Sequence, residues 1–210
     1  MKNNYDTIAW GYDALSRLVF FRTQLKAQID QLRFIPANST VLIAGGGTGW
    51  ILEEIAKVHP SGLKITYIEL SEKMLELSKK RLAGANEVSF IHVAAEDFKP
   101  AGHYDVILTA FLFDNFSEKG VEQLFNQFHQ LLRPGGVWLF ADFYYNQSSG
   151  KNWKWYLLKT MYLFFNKISK VEAKELVNTE GYFEQELYVN LTINYYYNGF
   201  IKAIVYKKIN

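Results

Sequence analysis

Four glycines fall in five positions at Gly45-Gly46-Gly47-Thr48-Gly49, directly after the apolar run Val41-Leu42-Ile43-Ala44 and just before Trp50. Glycine lets a chain turn sharply, and the N–H groups at the start of the following helix can then point at a ligand. A second residue suited to binding, Glu69, comes roughly twenty positions further on, the spacing at which an acid meets ribose hydroxyls. A carboxylate suits that task because it can accept hydrogen bonds from two neighbouring hydroxyls. The plain alternative is a tight strand-to-helix turn that holds nothing. A dinucleotide fingerprint would need its third glycine at Trp50, and no Gly-Lys-Ser/Thr follows the turn to make a phosphate-binding P-loop.

Other groups able to do chemistry are Asp114 and Asn115, then Asp142, Tyr144 and Tyr145. Each set follows a short apolar run, where ligands of open α/β sheets collect. His92 sits in an apolar stretch and reads as a satisfied buried histidine. His59, His103 and His129 have no partner at metal-ligand spacing, so no metal site is expected.

These residues need a scaffold that brings strand ends together. Runs 40–44, 64–70, 88–93, 105–111 and 137–143 read as strands. Helical stretches at 17–34, 50–58, 71–82 and 118–132 lie before and between them, with Ser71 as an N-cap and Met74, Leu75 and Leu77 on an apolar face. Arg133-Pro134-Gly135-Gly136 reads as a turn before the fifth strand. Such alternation builds βαβ units around a parallel sheet with helices on both faces. The tail breaks the rhythm: 187–196 and 200–207 are β-rich and flank Asn198-Gly199, a hairpin signal. The expected fold is therefore a doubly wound, mostly parallel seven-stranded α/β sheet ending in an antiparallel hairpin. A single domain over 1–210 is expected.

Composition narrows the function classes. The chain has 210 residues, 49% hydrophobic and 21% charged, as a globular domain does. A net charge of +2 gives no support for a nucleic-acid partner. The absence of cysteine excludes disulfides and thiolate chemistry. Residues 1–10 are too polar for the apolar core of a leader, and no run reaches the roughly 20 apolar residues of a membrane span, so the cytoplasm is the expected location. Aromatic content, at 17%, is high and concentrated late in the chain. The stretch 153–165 reads three ways: a core helix, a lid over an apolar acceptor, or a surface for peripheral membrane contact or a homodimer.

The segments 41–49, Glu69-Leu70-Ser71, 104–110 and 131–136 together resemble the motifs of class I S-adenosylmethionine-dependent methyltransferases. The likeness covers about the first 145 residues, and the opening 5–13 is similar to small-molecule members, quinone C-methylating ones included. The resemblance implies S-adenosylmethionine as cofactor, held by Gly45, Gly47, Gly49 and Glu69, with Tyr12, Leu70, Thr109 and Ala110 nearby. It puts Glu96 and Asp97 beside the adenine. It also implies an N-terminal helical cap over 1–35, a substrate-covering insertion over 144–185 and a small, partly apolar acceptor. Two positions depart from the family pattern: Ile43 stands where an acid is common, and Ala94 where an aspartate often follows the third strand. Methyl transfer chiefly needs the reactants held in line, and a base only when the acceptor must lose a proton. No particular catalytic residue is therefore implied. A catalytically degenerate binding module and an NAD-dependent oxidoreductase stay open as alternatives.

Overall fold

The computed structural model describes residues 21–100, 102–146, 150–169, 176–186 and 188–209. Seven strands form one sheet in the order β3-β2-β1-β4-β5-β7-β6. They are β1 Thr40–Ala44, β2 Ser61–Glu69, β3 Ala85–His92, β4 Tyr104–Ala110, β5 Leu132–Phe143, β6 Tyr188–Tyr196 and β7 Ile201–Lys208. β1 to β5 run parallel, whereas β7 is antiparallel to both β5 and β6. The doubly wound sheet with its antiparallel tail is as expected. The helices are α1 Phe21–Ile29, α2 Trp50–Val58, α3 Glu72–Ser78, α4 Glu118–Leu131, α5 Trp153–Ser169 and α6 Glu180–Gln185. Among the described residues, no helix is long and apolar enough to cross a membrane.

β1 has a strand on each side and helices above and below, which is why its residues are almost all apolar. One face of the sheet packs Val121, Leu124, Phe125 and Phe128 of α4 against Trp138 and Phe140, with Phe183 of α6 stacked on Tyr206 at 3.7 Å. The other packs Ile51, Leu52 and Ile55 of α2 against Val41, Ile43 and Ile65. Further along that sheet, Leu158 and Tyr162 of α5 meet Phe143, Phe200 and Ile201. Gln31 is buried, and its side-chain amide donates to the carbonyls of Phe140 (2.8 Å) and Ile204 (3.1 Å), tying the chain before β1 to the β5/β7 pair.

Several local readings change. Between β6 and β7 there is a four-residue loop, 197–200, not a two-residue turn. Tyr197, Asn198 and Gly199 all take left-handed φ there (48°, 53° and 77°), and Tyr196 pairs with Ile201. β5 starts at Leu132 because the Pro-Gly-Gly stretch stays in the strand as an irregularity opposite β4. α3 stops at Ser78, and Leu77 faces solvent while Ser78 is buried. Its cap is as read, with the Ser71 hydroxyl accepting from Met74 N. β3 is an edge strand, so His92 is exposed, with Nε2 2.7 Å from the Leu70 carbonyl. In the described part of α5, Trp153 and Tyr156 are exposed while Leu158 and Tyr162 are buried. Residues 17–20 of the first expected helix, and the whole 5–13 segment, lie outside the described residues.

Candidate active site

β1 and β4 are neighbours whose onward connections run to opposite sides of the sheet, the switch point at which ligands of doubly wound sheets bind. β1 ends there in the glycine turn. Gly45, Gly47 and Gly49 have φ of 67°, 64° and 77°, a region that side chains with a Cβ enter at a cost. Close packing adds a second requirement at two positions. A Cβ at Gly46 would lie 2.2 Å from the Tyr67 ring, and one at Gly49 would lie 2.7 Å from the Ser78 backbone, where α2 starts against α3. Nothing lies within 4 Å of a Cβ at Gly47, so the turn's open side is there.

Glu69 ends β2 with its side chain buried. Its Oε2 accepts from Gly47 N (2.9 Å) and its Oε1 from Ser71 N (2.8 Å), which joins the glycine turn to the start of α3. Tyr67 donates to the Gly47 carbonyl at 3.0 Å; burial first, then the charge of Glu69, pushes its phenol well up, so it remains a donor.

The turn and Glu69 wall a half-open cleft, about 720 Å3 when open solvent at its mouth is counted. Gly45, Gly47, Glu69, Leu70 and Glu96 line it, as do Ile68, Met74, Val93, Phe111, Leu112 and Asn115. Gly49 caps α2 behind the turn. Asp97 is exposed and outside the lining. Thr109 is buried, its hydroxyl accepting from Trp138 Nε1 at 2.8 Å, and Ala110 packs in the core; neither lines the cleft. Tyr12 lies outside the described residues. Ile43 is fully buried beneath α2. The apolar lining after β4 escaped sequence reasoning. Its signal was Phe111-Leu112-Phe113, an apolar run continuing past a strand end.

A second cavity, about 810 Å3 when open solvent at its mouth is counted, opens between the end of β5 and the start of α6. Asp142, Tyr144, Asn146, Asn178, Glu180 and Lys202 supply its polar lining. The Lys202 ammonium lies 2.6 Å from Glu180 and over the rings of Tyr144 and Tyr195. Burial opposes its charge, but Glu180 and Tyr195 outweigh that and its pKa is raised. The 3-10 turn Phe113–Asn115 follows β4 and brings Asn115 into the lining of the first cleft. Burial pushes the Asp114 carboxyl up to about 7, and burial together with the Asp114 charge holds Asp142 well above the ordinary carboxylate range.

The strand order, the reversed seventh strand and the glycine turn at the switch point define a Rossmann-like methyltransferase fold. Comparison with known proteins agrees. Residues 41–136 match the model of a family described as a methyltransferase domain. The ubiquinone/menaquinone biosynthesis C-methyltransferase of Geotalea daltonii is 31% identical over 146 residues, 66% of this chain and 61% of that protein. The malonyl-[acyl-carrier protein] O-methyltransferase of Priestia megaterium is 28% identical over 145 residues, 68% of this chain and 51% of its own length. Among solved structures, the N-methyltransferase NodS of Bradyrhizobium japonicum, in complex with S-adenosyl-L-homocysteine, superposes with a TM-score of 0.67 at 14% identity, covering 91% of this chain and 89% of that one. The chain thus spans between half and two thirds of the length of these two curated relatives. It is similar in sequence to S-adenosylmethionine-dependent methyltransferases over residues 41–136 and shares their fold.

Proposed function

We propose that this chain binds S-adenosylmethionine in the cleft beside Glu69 and transfers its methyl group to a small, partly apolar acceptor. One observation carries the reading: a buried carboxylate at the end of β2, clasped to the open side of a glycine turn at the sheet's switch point. The residues present fit the cofactor. Glu69 offers oxygens for a ribose diol, the unobstructed backbone at Gly47 leaves room for the amino-acid end, and Ile68, Met74 and Val93 offer apolar surface for a flat base near Glu96. Gly49 acts from behind by fixing the start of α2, and Leu70 forms part of the wall. When bound, the cofactor supplies an electrophilic methyl group on sulfur. The chain's own part is to hold the acceptor in line with that group and to keep water out.

The relatives act at carbon, oxygen and nitrogen by their names, so the acceptor atom is not inherited from them. Support for an acceptor that is partly apolar comes from this chain's own aromatic walls, Phe111, Tyr144 and Tyr145. The three core clusters share one sheet, which supports a single domain.

Calorimetric titration with S-adenosylmethionine, S-adenosylhomocysteine and NAD tests the reading. Saturable binding of the first two alone is the expected result; binding of NAD alone, or of none, overturns it. A binding-only module remains a second reading because Ile43 occupies the place of an acid and is wholly buried. Cofactor binding without transfer to any acceptor pool would favour it.

A further inference from the structure

Five of the chain's 23 lysines and arginines, and none of its 21 aspartates and glutamates, fall within residues 143–170, so a chain of net charge +2 carries +5 there and −3 elsewhere. Three of these lysines are Lys151, just before α5, and Lys154 and Lys159 on it. Leu158 and Tyr162 turn inward on the cluster of Phe143, Phe200 and Ile201. Trp153, Tyr156 and Thr160, three and four steps apart, share the outward arc with Lys159 and are exposed, Trp153 by 47% and Tyr156 by 59%. A surface helix ordinarily sets charged and polar side chains on that arc. Here two large rings stand on it, and Tyr197 from the loop between β6 and β7 extends the patch, its ring 6.0 Å from that of Trp153.

The lysines are gathered around the rings. Lys151 and Lys159 place Nζ 5.1 and 5.8 Å from the centre of the Trp155 ring. Lys154 places its own 5.9 Å from that of Trp153 and donates to the Gly199 carbonyl. Among the described residues, none of the three forms an ion pair. Beside Trp155 a half-open cavity, about 760 Å3 when open solvent at its mouth is counted, runs from Lys151 and Lys159 to Leu158, Tyr162 and Leu176, and none of the described residues lining it is acidic.

We propose that this face of α5 docks on a negatively charged lipid bilayer, with Trp153 and Tyr156 seated among the headgroups and Lys151 and Lys159 on lipid phosphates at the mouth of the cavity. Tryptophan and tyrosine favour that boundary because each ring is apolar with one polar tip, and lysine stems reach from it to the charged layer. Among the described residues no helix is long and apolar enough to cross a membrane, so the contact is with the bilayer surface. Charge argues against the other occupants of such a face. A second copy meeting it across a twofold axis would set lysines against lysines. A single-stranded nucleic acid would need open ring faces to stack on, and Trp153 and Trp155 already have lysines over them. The surface draws on neither the cofactor cleft nor the second cavity, and it stands whether or not the function proposed above does.

Flotation of the full chain with lipid vesicles tests the proposal. Mixed phosphatidylcholine–phosphatidylglycerol vesicles should carry the protein, pure phosphatidylcholine vesicles should carry far less, and high salt should release it. Lys151→Ala combined with Lys159→Ala should weaken binding about 25-fold, roughly fivefold for each lysine brought to an anionic surface. Tyr156→Ser should weaken it about fivefold through lost apolar contact. All three positions are exposed, so thermal unfolding should not move. Because the chain has no cysteine, a polarity-sensitive dye can be attached at one chosen place, in Tyr156→Cys or, on the far edge strand β3, in Glu87→Cys. Mixed vesicles should shift the emission of the first to the blue and leave the second unchanged. Absence of vesicle binding, equal binding by wild type and the double-lysine variant, or a dye at position 156 that does not respond overturns the proposal. So does retention of the protein by a single-stranded oligonucleotide in preference to the vesicles, or a dimer that Tyr156→Ser dissolves.

Discussion

The two cavities are made of different materials. The cleft proposed for the cofactor has a wall built on backbone, with three left-handed glycines, the N–H of Gly47 and one side-chain clasp, Glu69, all drawn from 45–69. The second cavity is built from side chains on three separate elements: Asp142 from β5, Lys202 from β7 and Glu180 from α6. A backbone site tolerates little change at its glycines and is recognisable by spacing. A side-chain site can be re-equipped one residue at a time, which is how one fold serves many acceptors.

The contrast can be broken most severely at Gly49. Gly49→Ala puts a Cβ 2.7 Å from the Ser78 backbone at a φ of 77°, combining overpacking with a left-handed alanine. It should cost about 4 kcal/mol, a fall of roughly 12 °C in thermal unfolding for a chain of this size. Gly47→Ala, strained but with open space around it, should cost only about 1 kcal/mol. Equal losses at the two positions would show that packing behind the turn is not what sets the difference. Next comes Glu69→Ala, which removes the acceptor for two backbone N–H groups along with the proposed ribose contact. Affinity for S-adenosylmethionine should drop roughly 100-fold, about 2.7 kcal/mol, by calorimetry. Unchanged affinity would detach Glu69 from the cofactor.

On the side-chain half, the sharper test is pH. Asp114 and Asp142 have folded-state pKa values raised above those of the unfolded chain, so the folded state holds more protons and their contribution to stability falls as pH rises from about 4 through 7. Asp114→Asn should therefore stabilise the protein at pH 8 and change it little at pH 4. Denaturant melts at the two pH values check this, and a stability loss at pH 8 would contradict the paired-carboxyl account. The smallest effect is expected far from both cavities. Arg133 and Asp105 form an ion pair at 2.5 Å, but the arginine is half exposed. Arg133→Ala should cost about 0.5 kcal/mol and less at high salt.

This division also explains what could be read from sequence. The alternation of apolar runs with helical stretches, the glycine turn and Glu69 are local signals, and they suffice for the sheet and for one wall of the cleft. The hairpin was legible, but its loop was not. Asn198-Gly199 suggests a two-residue turn, yet register across β6 and β7 is set by matching Ile193 to Ile204 and Tyr196 to Ile201, which leaves four residues to close the gap. His92 was misplaced because an apolar run looks the same in a central strand and an edge strand, and only sheet order separates them. Thr109 was assigned to the cofactor's surroundings by motif, but the nearby Trp138 indole takes up its hydroxyl in the core. The Asp142–Asp114 pairing depends on a turn folding back over β5, and Lys202 joins only through antiparallel pairing sixty positions away. No spacing rule spans such distances.

The place of β7 sets an order of assembly. It pairs with β5 on one side and β6 on the other, and among the described residues β6 pairs with no other strand. During synthesis β6 leaves the ribosome first, carrying Val189, Leu191, Ile193 and Tyr195 in alternation, side chains that stay exposed even in the finished fold. Until Ile201–Lys208 follows and slots in, that strand has both edges unpaired, and the parallel half of the sheet ends at β5. Strands in that state are prone to join a neighbouring chain. The interval between the emergence of β6 and the docking of β7 is therefore the stage of folding at which aggregation competes most strongly, and cooler, slower expression should raise the soluble yield by favouring docking over encounter.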